Sequence, residues 1–127
     1  MKLIATLFVT AIFVVTVDLV FAQDPVTLSP RMYTVLLEND QVRVLEFRCK
    51  PGEKEPMHSH PALVAYVLTP FKFRSTTPDG QATESELKPG TAVWGDAGTH
   101  AFECRGPGEQ RTIITELKGV KSAGQKK

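Results

Sequence analysis

Apolar and polar residues alternate along most of the chain after residue 30, in short segments separated by turn residues. Segments of this kind predict β-strands. The predicted strands are residues 33–38, 42–49, 63–69, 71–77, 82–87, 91–94, 99–105 and 111–117. Residues 53–61 are predicted to form a loop, and Pro78-Asp79-Gly80 predicts a hairpin turn between two of the strands. About eight strands with a turn every eight to twelve residues predict an all-β sandwich or barrel.

The first 22 residues have a different pattern. Lys2 is followed by an apolar stretch over residues 3–17, and Val20-Phe21-Ala22 precede a polar segment. This pattern is typical of a secretory signal peptide that is cleaved near Ala22, and we expect a secreted or periplasmic protein. A retained membrane anchor is the alternative, because the stretch is nearly long enough to span a bilayer. Asp18 and the small residue at the cleavage position favour removal.

Composition is ordinary for a globular domain, with 42% hydrophobic and 23% charged residues among 127. The 15 Lys and Arg against 14 Asp and Glu give a net charge of +1, so we expect no nucleic-acid partner. We divide the chain into a signal peptide (1–22), an N-terminal arm with the first strand (23–41), a β-barrel (42–117) and a basic, flexible tail (118–127).

The two cysteines, Cys49 and Cys104, can pair in an oxidising compartment. We favour two buried thiols that pack as small apolar side chains. The disulfide stays open as an alternative, because the sequence does not show whether the two residues meet.

The candidate chemistry lies in the three histidines, His58, His60 and His100. His58 and His60 are two residues apart, so on an extended segment both imidazoles point to the same side. Imidazole is a common ligand of Zn, Fe, Cu and Ni, and two of them make half a metal site. His100 begins another predicted strand, which a barrel can place beside the first. A surface pair with an unrelated third histidine is the alternative.

Two segments resemble the motifs of the cupin family. Gly52, five residues and then His58-Ser59-His60 match G-x5-H-x-H, the opening of the first motif. The segment from Gly90 through His100 to Cys104 resembles the second, G-x5-P-x-G-x2-H-x3-N. The resemblance spans residues 42–117. It implies a cupin-type double-stranded β-helix, or jelly-roll barrel, in which His58, His60 and His100 hold one divalent metal ion. It also implies that a homodimer can form through edge strands.

The sequence departs from the cupin pattern at several positions. Val64 and Ala65 stand where the first motif commonly has a glutamate. Asp96 stands where proline is usual, Cys104 replaces asparagine, and the turn before His100 is one residue shorter. The resemblance is therefore to a small cupin with an incomplete set of metal ligands.

The absence of that glutamate changes the charge of the site. Three neutral imidazoles leave a divalent ion its full positive charge, which favours an anionic ligand on the open positions. Such a set suits Fe activating dioxygen or Zn holding an acidic water, and the ligands do not separate Fe, Zn, Mn and Ni. Loss of one ligand also leaves open a vestigial site that holds no metal.

Four further residues are pocket candidates: Tyr66, Trp94, Phe102 and Cys104. The three aromatic residues lie on strands next to the histidines, and Phe102 shares the parity of His100. Packing in the hydrophobic core is the alternative for each. Cys104 can be a soft fourth ligand or a redox thiol, with simple packing as the interpretation we favour.

Charged residues near the motifs have less specific interpretations. We expect Glu53 and Glu55 to be solvated loop charges, although either can donate a carboxylate to the site. Arg43 and Arg48 can bind an anionic substrate at the barrel mouth, or can be ordinary surface residues of a strand.

Two classes of function remain. The first is a metal-dependent enzyme, an oxygenase or isomerase acting on a small anionic molecule. The second is a non-catalytic cupin module that binds a small ligand and has a vestigial metal site.

Overall fold

The computed structural model describes residues 23–120. The predicted signal peptide and residues 121–127 of the predicted tail lie outside these residues. The chain forms one short helix, α1 (Pro25–Leu28), followed by nine strands. The strands are β1 (Tyr33–Glu38), β2 (Val42–Cys49), β3 (Lys54–His60), β4 (Leu63–Val67), β5 (Phe71–Thr76), β6 (Ala82–Leu87), β7 (Ala92–Gly95), β8 (Gly98–Gly106) and β9 (Gln110–Leu117). Within the described residues, no helix has the length and apolar character that crossing a bilayer requires.

The strands form two antiparallel sheets. One has five strands in the order β1-β2-β9-β4-β7, and the other has four in the order β3-β8-β5-β6. The two sheets pack face to face, and this arrangement confirms the predicted all-β sandwich. The predicted hairpin is also present, since β5 pairs with β6 across the turn that contains Gly80. Gly80 has a φ of +87°, a backbone conformation that glycine adopts without strain.

Alternation along the strands places the core between the sheets. In β2, Leu45 and Phe47 are buried while Arg48 is exposed. In β9, every second residue from Gln110 to Glu116 is buried, so this strand supplies both apolar and polar side chains to the interior. The core consists of Tyr33, Leu45, Phe47, Cys49, Val67, Phe71, Cys104 and Ile114.

The prediction of a loop over residues 53–61 is wrong. Residues 54–60 form β3, which pairs with β8. A β-bulge at Pro56 and Met57 interrupts the pairing, because Glu55 lies opposite Phe102 while His58 lies opposite His100. Proline lacks an N–H to donate and is tolerated at such bulges. The charged residues and the proline gave this strand the appearance of a loop.

The expectation of two free thiols is also wrong. Cys49 on β2 and Cys104 on β8 form a disulfide, with their Cα atoms 6.3 Å apart. The two strands lie in different sheets, so the bond crosses the interior of the sandwich. Alternation aims both side chains into the same core, and this is why residues 55 positions apart in sequence meet.

We predict that the disulfide contributes substantially to stability, because it closes a loop of 55 residues in the unfolded chain. Loop-closure entropy for this length corresponds to about 4 kcal/mol. Urea unfolding should therefore shift to lower concentrations on reduction. A Cys49→Ala/Cys104→Ala variant is the control. It should unfold at the same urea concentration as the reduced protein, and added reductant should not change this concentration. Two titratable thiols in unreduced, denatured protein made under oxidising conditions would contradict the prediction.

Candidate metal centre

The three histidines lie together on two neighbouring strands. His58 and His60 are on β3, and His100 is opposite His58 on β8. The ring centroids of His58 and His100 are 4.5 Å apart, and those of His58 and His60 are 4.9 Å apart. One ligand nitrogen from each ring lies within 4.8 Å of the other two. The predicted convergence of these three residues is therefore present in the structure, in a set that could hold a metal ion.

Hydrogen bonds at the Nδ1 atoms fix the orientation of two rings. His58 Nδ1 is 2.8 Å from the carbonyl oxygen of Pro56, and His60 Nδ1 is 2.6 Å from Glu116 Oε1. A carbonyl oxygen and a carboxylate only accept, so both Nδ1 atoms carry the proton. In the neutral rings, each Nε2 then has a free lone pair. A ligating histidine typically has this arrangement, in which the second nitrogen is held by an acceptor.

The separation of the free nitrogens of His58 and His60 fits one metal ion. His58 Nε2 and His60 Nε2 are 3.1 Å apart. Two nitrogens bound at about 2.1 Å to one ion are about 3.0 Å apart at octahedral angles and about 3.4 Å apart at tetrahedral angles. With both protons on Nδ1, the two Nε2 atoms face each other without a hydrogen between them. A cation placed between these two lone pairs removes their repulsion.

Burial keeps the imidazoles of His58 and His100 neutral. It lowers the pKa of His58 to about 4 and that of His100 to about 4, the latter with a further contribution from the nearby His58 and His60. Both rings are therefore neutral near pH 7, and each offers one nitrogen lone pair to a metal.

Glu116 is a buried carboxylate that sequence reasoning missed. It contacts His60 through Oε1, and its Oε2 accepts a 2.6 Å bond from Arg43 Nε. Arg43 Nη2 in turn donates to Asp24 Oδ1, also at 2.6 Å. Burial raises the pKa of Glu116, but the hydrogen bonds from His60 and Arg43 together lower it by more, so the pKa lies below its usual value. The sequence did contain one indication of this residue. Glu116 is two positions after the apolar Ile114 on a predicted strand, so the two side chains point to the same face of the sheet.

Glu55 is buried, contrary to the expectation of a solvated loop charge. Its exposed fraction is 3%. The β-bulge at residues 56 and 57 shifts the alternation by one residue, so Glu55 points to the same side as His58 and His60. Glu55 Oε2 lies 3.5 Å from His58 Nε2 and accepts a 3.0 Å hydrogen bond from the Tyr33 hydroxyl. Burial raises the pKa of Glu55 to about 7, against the opposing effect of the Tyr33 hydrogen bond.

A cavity of about 180 Å³ adjoins the histidines between the two sheets. Its walls are mainly aliphatic and aromatic, and His60 and His100 belong to its lining. The lining residues are Tyr33, Phe47, Glu55, His60, Leu63, Ala65, Val67, Phe71, Phe73, Ser75, Leu87, Val93, His100, Phe102, Thr112 and Ile114. Apolar walls with a few polar groups are typical of small-molecule sites.

The four pocket candidates have different positions. Phe102 lines the cavity, whereas Tyr66 and Trp94 are 46% and 56% exposed and lie outside its lining. Leu63, Ala65 and Val67 of β4 and Val93 of β7 line the cavity. Tyr66 and Trp94 have the opposite parity on these strands, so their side chains point outward. Trp94 Nε1 instead donates to Asp96 Oδ1 on the surface. Cys104 is fully buried in the disulfide and is therefore neither a thiolate ligand nor a free redox thiol.

The remaining charged candidates lie away from the cavity lining. Arg43 acts on the centre through Glu116. Arg48 is exposed and pairs with Glu46 and Glu109. Glu53 is partly buried and accepts a hydrogen bond from the backbone N–H of Lys50.

Several solved structures are similar to this chain. A cupin domain from Bordetella pertussis is 27% identical, with a TM-score of 0.63 over 68% of this chain and 92% of that one. A Klebsiella pneumoniae protein with a double-stranded β-helix domain is 20% identical, with a TM-score of 0.54 over 75% and 84%. A cupin superfamily protein from Desulfitobacterium hafniense is 19% identical, with a TM-score of 0.52 over 68% and 75%. No family model and no curated protein matches the sequence.

These similarities define the class of the protein. The chain has the cupin fold, a double-stranded β-helix of two antiparallel sheets. The resemblance inferred from the two histidine motifs is confirmed at the level of the fold, and the three histidines occupy the interior face of adjacent strands.

We predict that Glu116→Gln weakens binding of Zn²⁺ by about 10–100-fold, because the charged acceptor that orients His60 is lost. Titration against a chromogenic chelator measures this affinity. Glu46→Gln is the matched control, since Glu46 also pairs with an arginine across β2 and β9 but touches no histidine. Equal Zn²⁺ affinity of the Glu116→Gln variant and the wild type would refute this role of Glu116.

Proposed function

We propose that this protein is a metal-dependent enzyme, an oxygenase or isomerase that acts on a small molecule held in the apolar cavity. His58, His60 and His100 would hold the divalent ion. A small substrate with an anionic group is favoured, because three neutral imidazoles leave the positive charge of the ion uncompensated.

The observation that carries this proposal is the pair of bare Nε2 atoms 3.1 Å apart, each in a ring whose Nδ1 is held by an acceptor. A vestigial site has no need of rings oriented in this way. Here a buried carboxylate and a backbone carbonyl each hold one imidazole, and Arg43 holds the carboxylate.

A bound divalent ion supplies a Lewis acid and, for Fe, redox chemistry with dioxygen. The protein supplies the surroundings. Glu116 keeps the proton of His60 on Nδ1, and Pro56 does the same for His58. Phe102 and the other apolar lining residues limit the access of water, so that charge on a substrate is stabilised mainly by the centre.

We also propose that the protein works outside the cytoplasm. The signal-peptide pattern of residues 1–22 is the first support for this location. The disulfide between Cys49 and Cys104 is the second, because such bonds persist mainly in oxidising compartments.

We predict that purified protein contains about one divalent metal ion per chain, measured by elemental analysis after purification without an affinity metal. His58→Ala and His100→Ala should each lose this ion, because two imidazoles and solvent hold it far more weakly. Ser59→Ala is the control on the same strand, since Ser59 bonds to Thr99 and lies between the two histidines on the other face. Wild-type protein that takes up no Fe, Zn, Mn or Ni would instead support a non-catalytic binding module.

The reaction class can be separated by oxygen consumption. Fe-loaded protein that consumes oxygen with small thiols, diketones or phenols is an oxygenase. Turnover of a candidate substrate without oxygen uptake indicates an isomerase when the product is an isomer of the substrate, and a hydrolase when water has been added.

A further inference from the structure

Glu55 is a buried carboxylate whose hydrogen bonding is incomplete. Its Oε2 accepts from the Tyr33 hydroxyl, but its Oε1 is buried without a hydrogen-bond partner in residues 23–120. Nor does any lysine or arginine of these residues pair with it, in contrast to Glu116, which has Arg43. A buried charge or acceptor without a partner is costly, so this oxygen requires a hydrogen-bond donor that residues 23–120 do not supply.

A second residue of the cavity lining also has a buried polar atom without a partner in residues 23–120. The hydroxyl of Thr112 is buried, lines the cavity and has no partner in the described residues. Only one other buried side-chain atom in this part of the chain lacks a partner, Gln110 Oε1, and Gln110 does not line the cavity. Two of the three unpaired polar atoms in the described residues therefore belong to side chains that line the cavity. The rest of the lining is mostly apolar, so such a ligand has an apolar body.

We propose that Glu55 determines ligand specificity, by accepting a hydrogen bond at Oε1 from a donor group of a small, mainly apolar molecule in the cavity. The donor is a hydroxyl or a protonated amine. This inference deepens the proposed function, since it names the chemistry of the molecule expected at the same site.

The position of Glu55 relates the donor to the metal centre. Its Oε2 lies 3.5 Å from His58 Nε2, which is one of the proposed ligand atoms. A molecule that binds the ion therefore reaches Glu55 with a group close to its metal-binding atom. The three histidines form the group of residues that could hold a metal ion, and Glu55 is not part of this group. This agrees with a role in which Glu55 contacts the small molecule and not the ion.

The test uses two matched pairs of probes that differ in a donor. Phenol and anisole differ in a hydroxyl, and benzylamine and benzyl methyl ether differ in a protonated amine. Dissociation constants are measured by NMR titration for Zn-loaded protein and for protein stripped with a chelator. The variants are Glu55→Met, which lacks an acceptor, and Glu55→Gln, which keeps an acceptor without the charge. Glu86→Gln, at an exposed position of β6, is the control.

We expect the wild type to prefer the donor-bearing member of at least one pair by about tenfold or more, as for other hydrogen bonds to charged groups. Glu55→Met should abolish the preference and Glu86→Gln should keep it. If the donor is a hydroxyl, Glu55→Gln should keep part of the preference for phenol, because glutamine still offers an acceptor oxygen. If the donor is a protonated amine, Glu55→Gln should lose the preference for benzylamine, because glutamine lacks the negative charge.

Two results would overturn the inference. One is a wild type that binds both members of each pair equally, which would mean that water satisfies Oε1. The other is a loss of Zn²⁺ affinity in Glu55→Gln with unchanged probe preference, which would make Glu55 a metal ligand. Stripped protein keeps this test separate from the proposed function, because a donor preference that depends on Glu55 there stands even if no metal binds.

Discussion

The site depends on the hydrogen bonds that hold the far side of two imidazoles. The Pro56 carbonyl and Glu116 fix the protons of His58 and His60 on Nδ1, so the lone pairs of both Nε2 atoms converge at 3.1 Å. Without these acceptors the rings could rotate or share a proton, and no common point for a cation would exist. Arg43 extends this arrangement to the N-terminal arm, because it joins Glu116 to Asp24 at the start of α1.

The sequence was sufficient to predict eight of the nine described strands and the convergence of three histidines, because these follow from local alternation and from two spaced motifs. It was not sufficient for Glu55. Strict alternation puts Glu55 on the face opposite His58, and only the bulge at residues 56 and 57 brings it inside. A bulge depends on pairing with a partner strand, here β8, and the local sequence pattern does not show this pairing. Glu116 was likewise hidden, because its partners are far away in sequence.

The aromatic candidates show the same limit in another form. Residues 63–69 are predominantly apolar, so the sequence contains little alternation that tells the inner face from the outer one. The structure places Ala65 and Val67 in the cavity wall and Tyr66 on the surface. Phe102 lines the cavity, as its spacing of two residues from His100 on the same strand indicated. The motif implied that His100 points into the interior, so Phe102 was expected to point there too. A known reference residue on the same strand is therefore what makes parity informative.

The disulfide has a mechanical consequence for the entry of a ligand. It fastens β2 to β8 only four residues from His100, and these strands belong to opposite sheets. The sandwich cannot separate at that point without breaking a covalent bond. The bond therefore limits how far the two sheets can part in the region around Cys49 and Cys104. His100 lies on the part of β8 that this covalent bond restrains, so the wall of the cavity that carries the third histidine is the part least free to shift when a molecule enters.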